Sequence, residues 1–167
     1  MEARFRQLVD SHRHRVFQLA RLLLGQDQEA EDVAQDTLLK LWTHLQELRP
    51  GEEQAWVMTC TRNACLDRLR GKSRGRRLLS LVGLPEPAAT PDSAAQADER
   101  QRLLMRAVRA LPEPGRSLLI LRDIQDFDAS TVAQILDLSV NQVKVYAFRA
   151  RRALRRQLEE RFNEQAA

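Results

Sequence analysis

The sequence is poor in the residues that build most catalytic or disulfide-stapled proteins. Of its 167 residues only Cys60 and Cys65 are cysteines, too few for a disulfide framework or a paired-cysteine zinc site. On a helix they stand about 140° apart, so they are read as packing residues and not as a redox pair. His12 and His14 are two apart and His44 is distant, which leaves no helical metal pair; His12 is expected to edge a core stripe. Neither a glycine-rich phosphate loop nor a nucleophile elbow occurs. No apolar run approaches bilayer length, and the first fifteen residues carry Glu2, Asp10 and four arginines, which argues against a signal peptide. The expectation is a cytoplasmic, non-enzymatic chain without metal or cofactor.

Apolar residues make up 43% of the chain and charged residues 30%, a balance that folds and that suits neither disorder nor a membrane. The length allows one ordinary domain or two small ones. Lysine is rare as well, at Lys40, Lys72 and Lys144 only, so 24 of the 27 cations are arginine. Arginine's planar fork suits phosphates, although a GC-rich genome produces the same bias. The distribution of charge carries more. Net charge is −3 over residues 1–56, +6 over 57–84, −4 over 85–99 and +5 over 100–167. Two basic blocks separated by an acidic one suggest two contacts with a polyanion.

Hydrophobic spacing is helical almost throughout. Phe5, Leu8, Val9, His12, Val16, Ala20 and Leu23 form a first stripe, closed by Gly25 at a C-terminal cap. A second helix is predicted from about Asp27 to Leu48, with Ala30, Val33, Ala34, Leu38, Leu41, Trp42 and Leu45 on one side, before Arg49-Pro50-Gly51 breaks it. A third is predicted from near Glu52 to about Arg70. Residues 72–95 read as a linker, in which Leu78–Leu84 could form a short docking turn. This divides the chain into residues 1–71, a linker 72–95 and residues 96–167. Helical spacing resumes with Leu103, Leu104, Ala107, Val108 and Leu111, and a short apolar helix follows from Ser117 to about Ile124.

The end of the chain has helix-turn-helix spacing. Asp128 is placed to cap a short helix carrying Val132, Ala133, Ile135 and Leu136, and Asp137-Leu138-Ser139 separates it from a second helix. Ser139 and Gln142 form a capping-box pattern. Small Ala133 lets the two helices approach closely. With Val143, Ala147, Ala150, Leu154 and Leu158 inward, Asn141, Lys144, Val145, Phe148, Arg149, Arg152 and Arg155 face outward. Asn141, Lys144 and Val145 are then candidates for base edges, Val145 or Phe148 can touch a thymine methyl, and Arg149, Arg152, Arg155 and Arg156 can anchor phosphates. A solvated basic face is the alternative, but outward Val145 and Phe148 call for a partner.

Two further faces stand out. Opposite the core stripe of the second helix lie Asp32, Gln35, Asp36 and Leu39, with Thr43 one turn beyond. A leucine framed by acids suggests a protein partner carrying basic residues, or else an ordinary solvated face. On the third helix Thr59, Asn63, Asp67 and Arg70 share a face flanked by Arg62 and followed by Lys72, Arg74, Arg76 and Arg77. Hydrogen-bonding side chains beside cations suit a nucleic-acid strand, while Asp67 could instead pair with Arg70 or Arg62.

Three stretches together resemble the extracytoplasmic-function (ECF) group of the sigma-70 family. Ala30 to Trp42 looks like the segment that binds the clamp helices of RNA polymerase. Ala55-Trp56-Val57 through Arg62-Asn63 to Arg70 looks like the segment that opens and reads the −10 strand. Leu111-Pro112 through Leu121-Arg122, with Val132 to Leu136, Ser139-Val140, Val143-Lys144 and Arg149 to Leu154, looks like the −35-reading domain. The resemblance implies an all-α chain of two small helical domains acting as an alternative sigma factor. It gives Asp32, Gln35, Asp36, Leu39 and Trp42 roles at core polymerase. It makes Leu48 to Glu53, including Arg49, Gly51 and Glu52, a loop that captures a base flipped from the −10 strand, with Arg62, Asn63 and Arg70 along the strand path. Gln142 joins the −35 set. It also implies an anti-sigma partner that masks both faces.

The chain departs from the family at informative places. Asp137 stands where glycine is common, and Asn141-Gln142 and Val145-Tyr146 replace the common Gly-Thr and Ser-Arg, so no promoter sequence carries over. Asp126 to Thr131 also lacks the usual Gly and Tyr-Glu-Glu. Two alternatives remain open on the sequence: a helix-turn-helix regulator with an N-terminal sensor or dimerisation domain, and a helical adaptor that binds protein alone.

Overall fold

Helix termini and apolar stripes dictate the architecture, seen in a computed structural model that describes residues 1–84 and 99–166. Among the described residues the regular elements are all helices. In the N-terminal half these are α1 (Glu2–Leu24), α2 (Asp27–His44) and α3 (Glu53–Leu81). Gly25 closes α1 in the left-handed conformation, φ 77°, its N–H reaching the Arg21 carbonyl, as its position predicts. Arg21 then turns to Asp27 at 2.7 Å, placing a carboxylate in the first turn of α2 where the helix dipole favours it. Val16, Leu19, Leu23, Ala30, Val33, Leu41, Leu45, Val57 and Met58 are buried between the three helices. Full burial of one such leucine contributes about 2 kcal/mol.

Details of this half differ from the sequence expectation. The second helix stops at His44, short of Leu48, so Trp42 lies on its last turn at the rim of the core. It is 38% exposed, and its ring meets Phe5 edge-on at 4.9 Å. Leu38 is likewise only half-buried. The third helix does not end near Arg70 but runs on to Leu81. Glycine inside a helix costs only about 1 kcal/mol relative to alanine, so Gly71 and Gly75 do not stop it, and Lys72 ties it to Glu29 on α2 at 2.7 Å. The stop is Gly83, φ 74°, where Leu84 N–H reaches the Leu79 carbonyl and Gly83 N–H that of Ser80. Residues 72–81 of the expected linker are therefore helical, and Leu78–Leu84 is the end of α3 with its cap. The remainder of that linker, 85–95, lies outside the described residues.

The C-terminal half contains α4 (Glu99–Ala110), α5 (Gly115–Leu119), a π-helical segment (Ile120–Ile124), α6 (Ala129–Leu136) and α7 (Val140–Ala166). The expected single helix from Ser117 to Ile124 is thus split, with Gln125 N–H bonded to the Ile120 carbonyl. Asp128 caps α6 by accepting from Thr131 N–H at 2.7 Å. The capping box at α7 is reciprocal: Ser139 N–H donates to Gln142 Oε1 at 2.9 Å, and Gln142 N–H to Ser139 Oγ at 3.1 Å. Between α6 and α7, Leu138 N–H reaches the Ala133 carbonyl and Asp137 N–H that of Gln134. This Schellman turn holds Asp137 at φ 54°.

A β-carbon at that φ is strained, less so for aspartate than for most residues. Asp137→Gly is expected to stabilise the fold by about 0.5–1 kcal/mol, read as a higher urea midpoint at unchanged slope.

Candidate nucleic-acid and protein interfaces

On α2 the side chains of Asp32, Gln35, Asp36 and Leu39 are exposed, Leu39 at 64%, while Val33, Ala34, Thr37 and Leu41 on the opposite side are buried. Beside this face a groove of about 450 Å³ runs between α1 and α2, lined by Phe17, Ala34 and Leu38 together with Arg13, His14 and Glu31. An apolar protrusion with acids on its flank is a surface suited to a protein with basic residues. Trp42 adds a half-open ring edge to the same end of α2.

The second face is the connection between α2 and α3. Leu48 is half-buried, and Arg49, Gly51 and Glu52 are exposed, with Gly51 at φ 93° where a side chain would be strained. Arg49 N–H donates to Glu52 Oε2 at 3.3 Å. Two residues fasten this loop, Arg4 from outside the expected site set and Glu53 at the loop's own end. Arg4, from the first turn of α1, donates to the Leu45 and Leu48 carbonyls and to Glu53 Oε1. Glu53 Oε2 accepts from Gly51 N–H at 2.7 Å. Burial pushes the Glu53 carboxyl up, but hydrogen bonds from Arg4, its own N–H and Gly51, with the Arg4 charge, outweigh it and hold the pKa below its ordinary 4.5. The stability this contributes is present above 4.5 and is lost as pH falls through the lowered value.

The α3 face expected to meet a strand is divided. Asn63 and Arg70 are exposed, Arg70 pairing loosely with Asp67 at 3.7 Å, a surface contact of little energetic weight. Arg62 instead points into the C-terminal half: its Nε donates to Ser117 Oγ at 2.9 Å and its Nη2 to Glu113 at 3.4 Å. The Thr59 hydroxyl donates to the Ala55 carbonyl at 2.7 Å and lies 3.4 Å from the Ile135 carbonyl of α6. A cleft of about 530 Å³ opens beside this seam, lined by Asn63, Arg70 and Arg116 as well as Arg62. Elsewhere along the seam Gln125 donates to the Arg15 carbonyl and to Gln18 Oε1, and the Arg15 guanidinium lies 4.4 Å over the Phe127 ring. The buried apolar cluster is continuous from α1 through α3 to α6 and α7. No local pattern in the sequence announces these partners, because each joins residues far apart in the chain.

The third face is α7. Val143, Ala147 and Ala150 are buried, which leaves Asn141, Gln142, Lys144, Val145, Phe148, Arg149, Arg152 and Arg155 exposed. Val145 and Phe148 are 47% and 65% exposed. Gln142 has its carbonyl oxygen committed to the cap, so only its amide N–H groups can reach outward. Arg151 belongs to the fold: it grips Asp123 with two bonds, at 2.6 and 2.9 Å. Burial pushes the Cys65 thiol up to about 12 and raises that of Cys60, as packing positions require. His12 is half-buried on α1, burial being the main cause of its lowered pKa.

Comparison with known proteins matches both halves in the same order. Residues 8–75 match Sigma-70 region 2 and residues 101–154 match Sigma-70, region 4. The ECF RNA polymerase sigma factor SigW of Bacillus subtilis is 26% identical over 92% of this chain and 88% of its own length. SigL of Mycobacterium tuberculosis, also an ECF RNA polymerase sigma factor, is 30% identical over 95% of this chain and 90% of its own. Among solved structures, the sigma factor RpoE of Bartonella quintana, in complex with the anti-sigma factor NepR, superposes with a TM-score of 0.74 at 25% identity, covering 93% of this chain and 96% of that one. A sensor or dimerisation domain in the N-terminal half is thereby replaced by region 2, and a protein-only adaptor by a chain with both sigma regions. The protein belongs to the sigma-70 family and is an ECF sigma factor, a factor of transcription initiation.

Proposed function

We propose that this sigma factor binds the clamp helices of core RNA polymerase through Asp32, Gln35, Asp36, Leu39 and Trp42. It captures the −10 strand with Leu48, Arg49, Gly51, Glu52, Arg62, Asn63 and Arg70. It reads the −35 element with Asn141, Gln142, Lys144, Val145, Phe148, Arg149, Arg152 and Arg155. The observation that carries the reading is the segregation of surface chemistry. The acidic and apolar α2 face lies apart from the basic α7 face, and each keeps large apolar side chains in solvent. The protein does no chemistry of its own in this account; it works in the cytoplasm, positions polymerase, and stabilises an unpaired strand whose opening costs a few kcal/mol. Its functional division is residues 1–71 for region 2, 72–95 for the connection, whose first part is the end of α3, and 96–167 for region 4. An anti-sigma factor is the natural further partner, since the similar RpoE was solved with one.

The decisive experiment adds the purified chain to core polymerase and maps transcript starts genome-wide; absence of core binding, or binding without promoter-specific starts, would sink the proposal. Asp32→Ala with Gln35→Ala should weaken core binding about 10- to 100-fold and leave binding of the full chain to a −35 duplex unchanged. Equal loss of both would contradict separate faces. On α7, Arg152→Ala should lower affinity evenly across sequences and reduce the salt slope by about 1. Lys144→Ala or Val145→Ala should instead change base preference, each by about 1–3 kcal/mol at the contacted base pair. Preference that shifts with Arg152 and not with Val145 would reverse the orientation of the helix.

Strand capture by Arg62 requires it to leave Glu113 and Ser117. Glu113→Ala with Gln125→Ala removes acceptor and donor from the seam, and the radius of gyration in solution scattering should rise. An unchanged radius would mean that apolar packing alone holds the halves together.

A further inference from the structure

The connection between α2 and α3 is held by a residue from the other end of the domain. Because α2 stops at His44, the carbonyls just beyond it have no helical partner, and neither has the N–H of Gly51 just before α3. Arg4 supplies the first need: Nη1 lies 3.3 Å from the Leu45 carbonyl and Nη2 3.2 Å from that of Leu48. Glu53 supplies the second, its Oε2 2.7 Å from Gly51 N, and its Oε1 joins the two supports by accepting from Arg4 Nη2 at 2.6 Å. Glu53 is 7% exposed, a depth at which an ionised carboxylate persists only when its oxygens are bonded. Both are.

We propose that Arg4 and Glu53 are positioning residues for −10 base capture, a latch that sets the shape of the loop from Leu48 to Glu52 before any strand arrives. The inference rests on the reading of that loop as the strand-capturing element. A pocket for one flipped base tolerates displacements of only a fraction of an ångström. A connection without regular backbone pairing cannot supply that rigidity by itself. The latch does so from α1, whose packing on α2 and α3 is part of the core. The task suits arginine in particular. Its planar fork reaches two carbonyls and a carboxylate at once, whereas lysine offers a single charged nitrogen.

The test uses holoenzyme assembled from the full chain and core polymerase, with a fluorescent non-template strand from a promoter whose start has been mapped. The strand is made intact and with an abasic site at each −10 position in turn. In the wild-type protein one position should show the largest loss when abasic. Arg4→Ala should bind the intact strand about tenfold more weakly and bind the strand abasic at that position as the wild type does, because the interaction it supports is already missing. Arg4→Lys should not restore the intact-strand affinity. Glu53→Gln, which keeps the shape of the side chain, should repeat the pattern and covers the case in which Arg4→Ala does not fold. Assembly with core polymerase should be unaffected, since Arg4 lies off the exposed α2 face. Equal losses on intact and abasic strands, or wild-type affinity for both, would overturn the latch. A wild-type protein indifferent to every abasic site would overturn strand capture itself, a separate result.

Discussion

The guanidinium of Arg62 donates to Glu113 and Ser117 across the seam between the two halves of this sigma factor. Other side chains along the seam are committed in a similar way. Thr59 donates its hydroxyl to Ala55 of its own helix and stands 3.4 Å from the Ile135 carbonyl, Gln125 spends its amide on α1, and Arg15 lays its charge over Phe127. Beneath these polar contacts the apolar core passes from one half to the other without interruption. Polar groups along such a seam cost free energy if left unpaired, so the same bonds that close the halves set the cost of opening them.

The acidic face of α2 and the basic face of α7 escape this constraint, because neither is used to close the structure. Leu39, Val145 and Phe148 stay in water while smaller residues on the same helices are buried. Ion pairs away from both faces seat these helices. The Arg21–Asp27 pair anchors the start of α2, and the Arg151–Asp123 pair holds α7 against the π-helical segment. Arginines in one run therefore divide their work: Arg151 builds the helix's seat, and Arg149, Arg152 and Arg155 are left outward.

Much of this was legible in the residue order. Helical spacing marked the core stripes, Gly25 marked the end of α1, and Asp128, Ser139 and Gln142 marked the helix starts of the C-terminal domain. Each of these signals spans a few residues, the range over which a backbone hydrogen bond or an i,i+4 contact operates. Local signals mislead where they compete. Spacing places the end of the third helix near Arg70, yet α3 runs on to Leu81, and the left-handed turn forms at Gly83. Trp42 fitted the core stripe by periodicity and fell at the rim because α2 ended a few residues early.

The same limit separates what the chain determined alone from what tertiary structure decided. Charge alternation, helix periodicity and the motif order determined an all-α protein with an acidic face on its second helix and a helix-turn-helix, because those properties are carried by neighbours in sequence. Only the folded chain decided that Arg62 faces Glu113, that Gln125 reaches α1, and that Arg4 and Glu53 clasp the α2–α3 connection. These are contacts between residues 49 to 110 positions apart for the Arg4–Glu53 and Gln125–Arg15 bonds at the two extremes. Such pairs leave no periodic trace, since a guanidinium finds its acceptors by where helix packing delivers them.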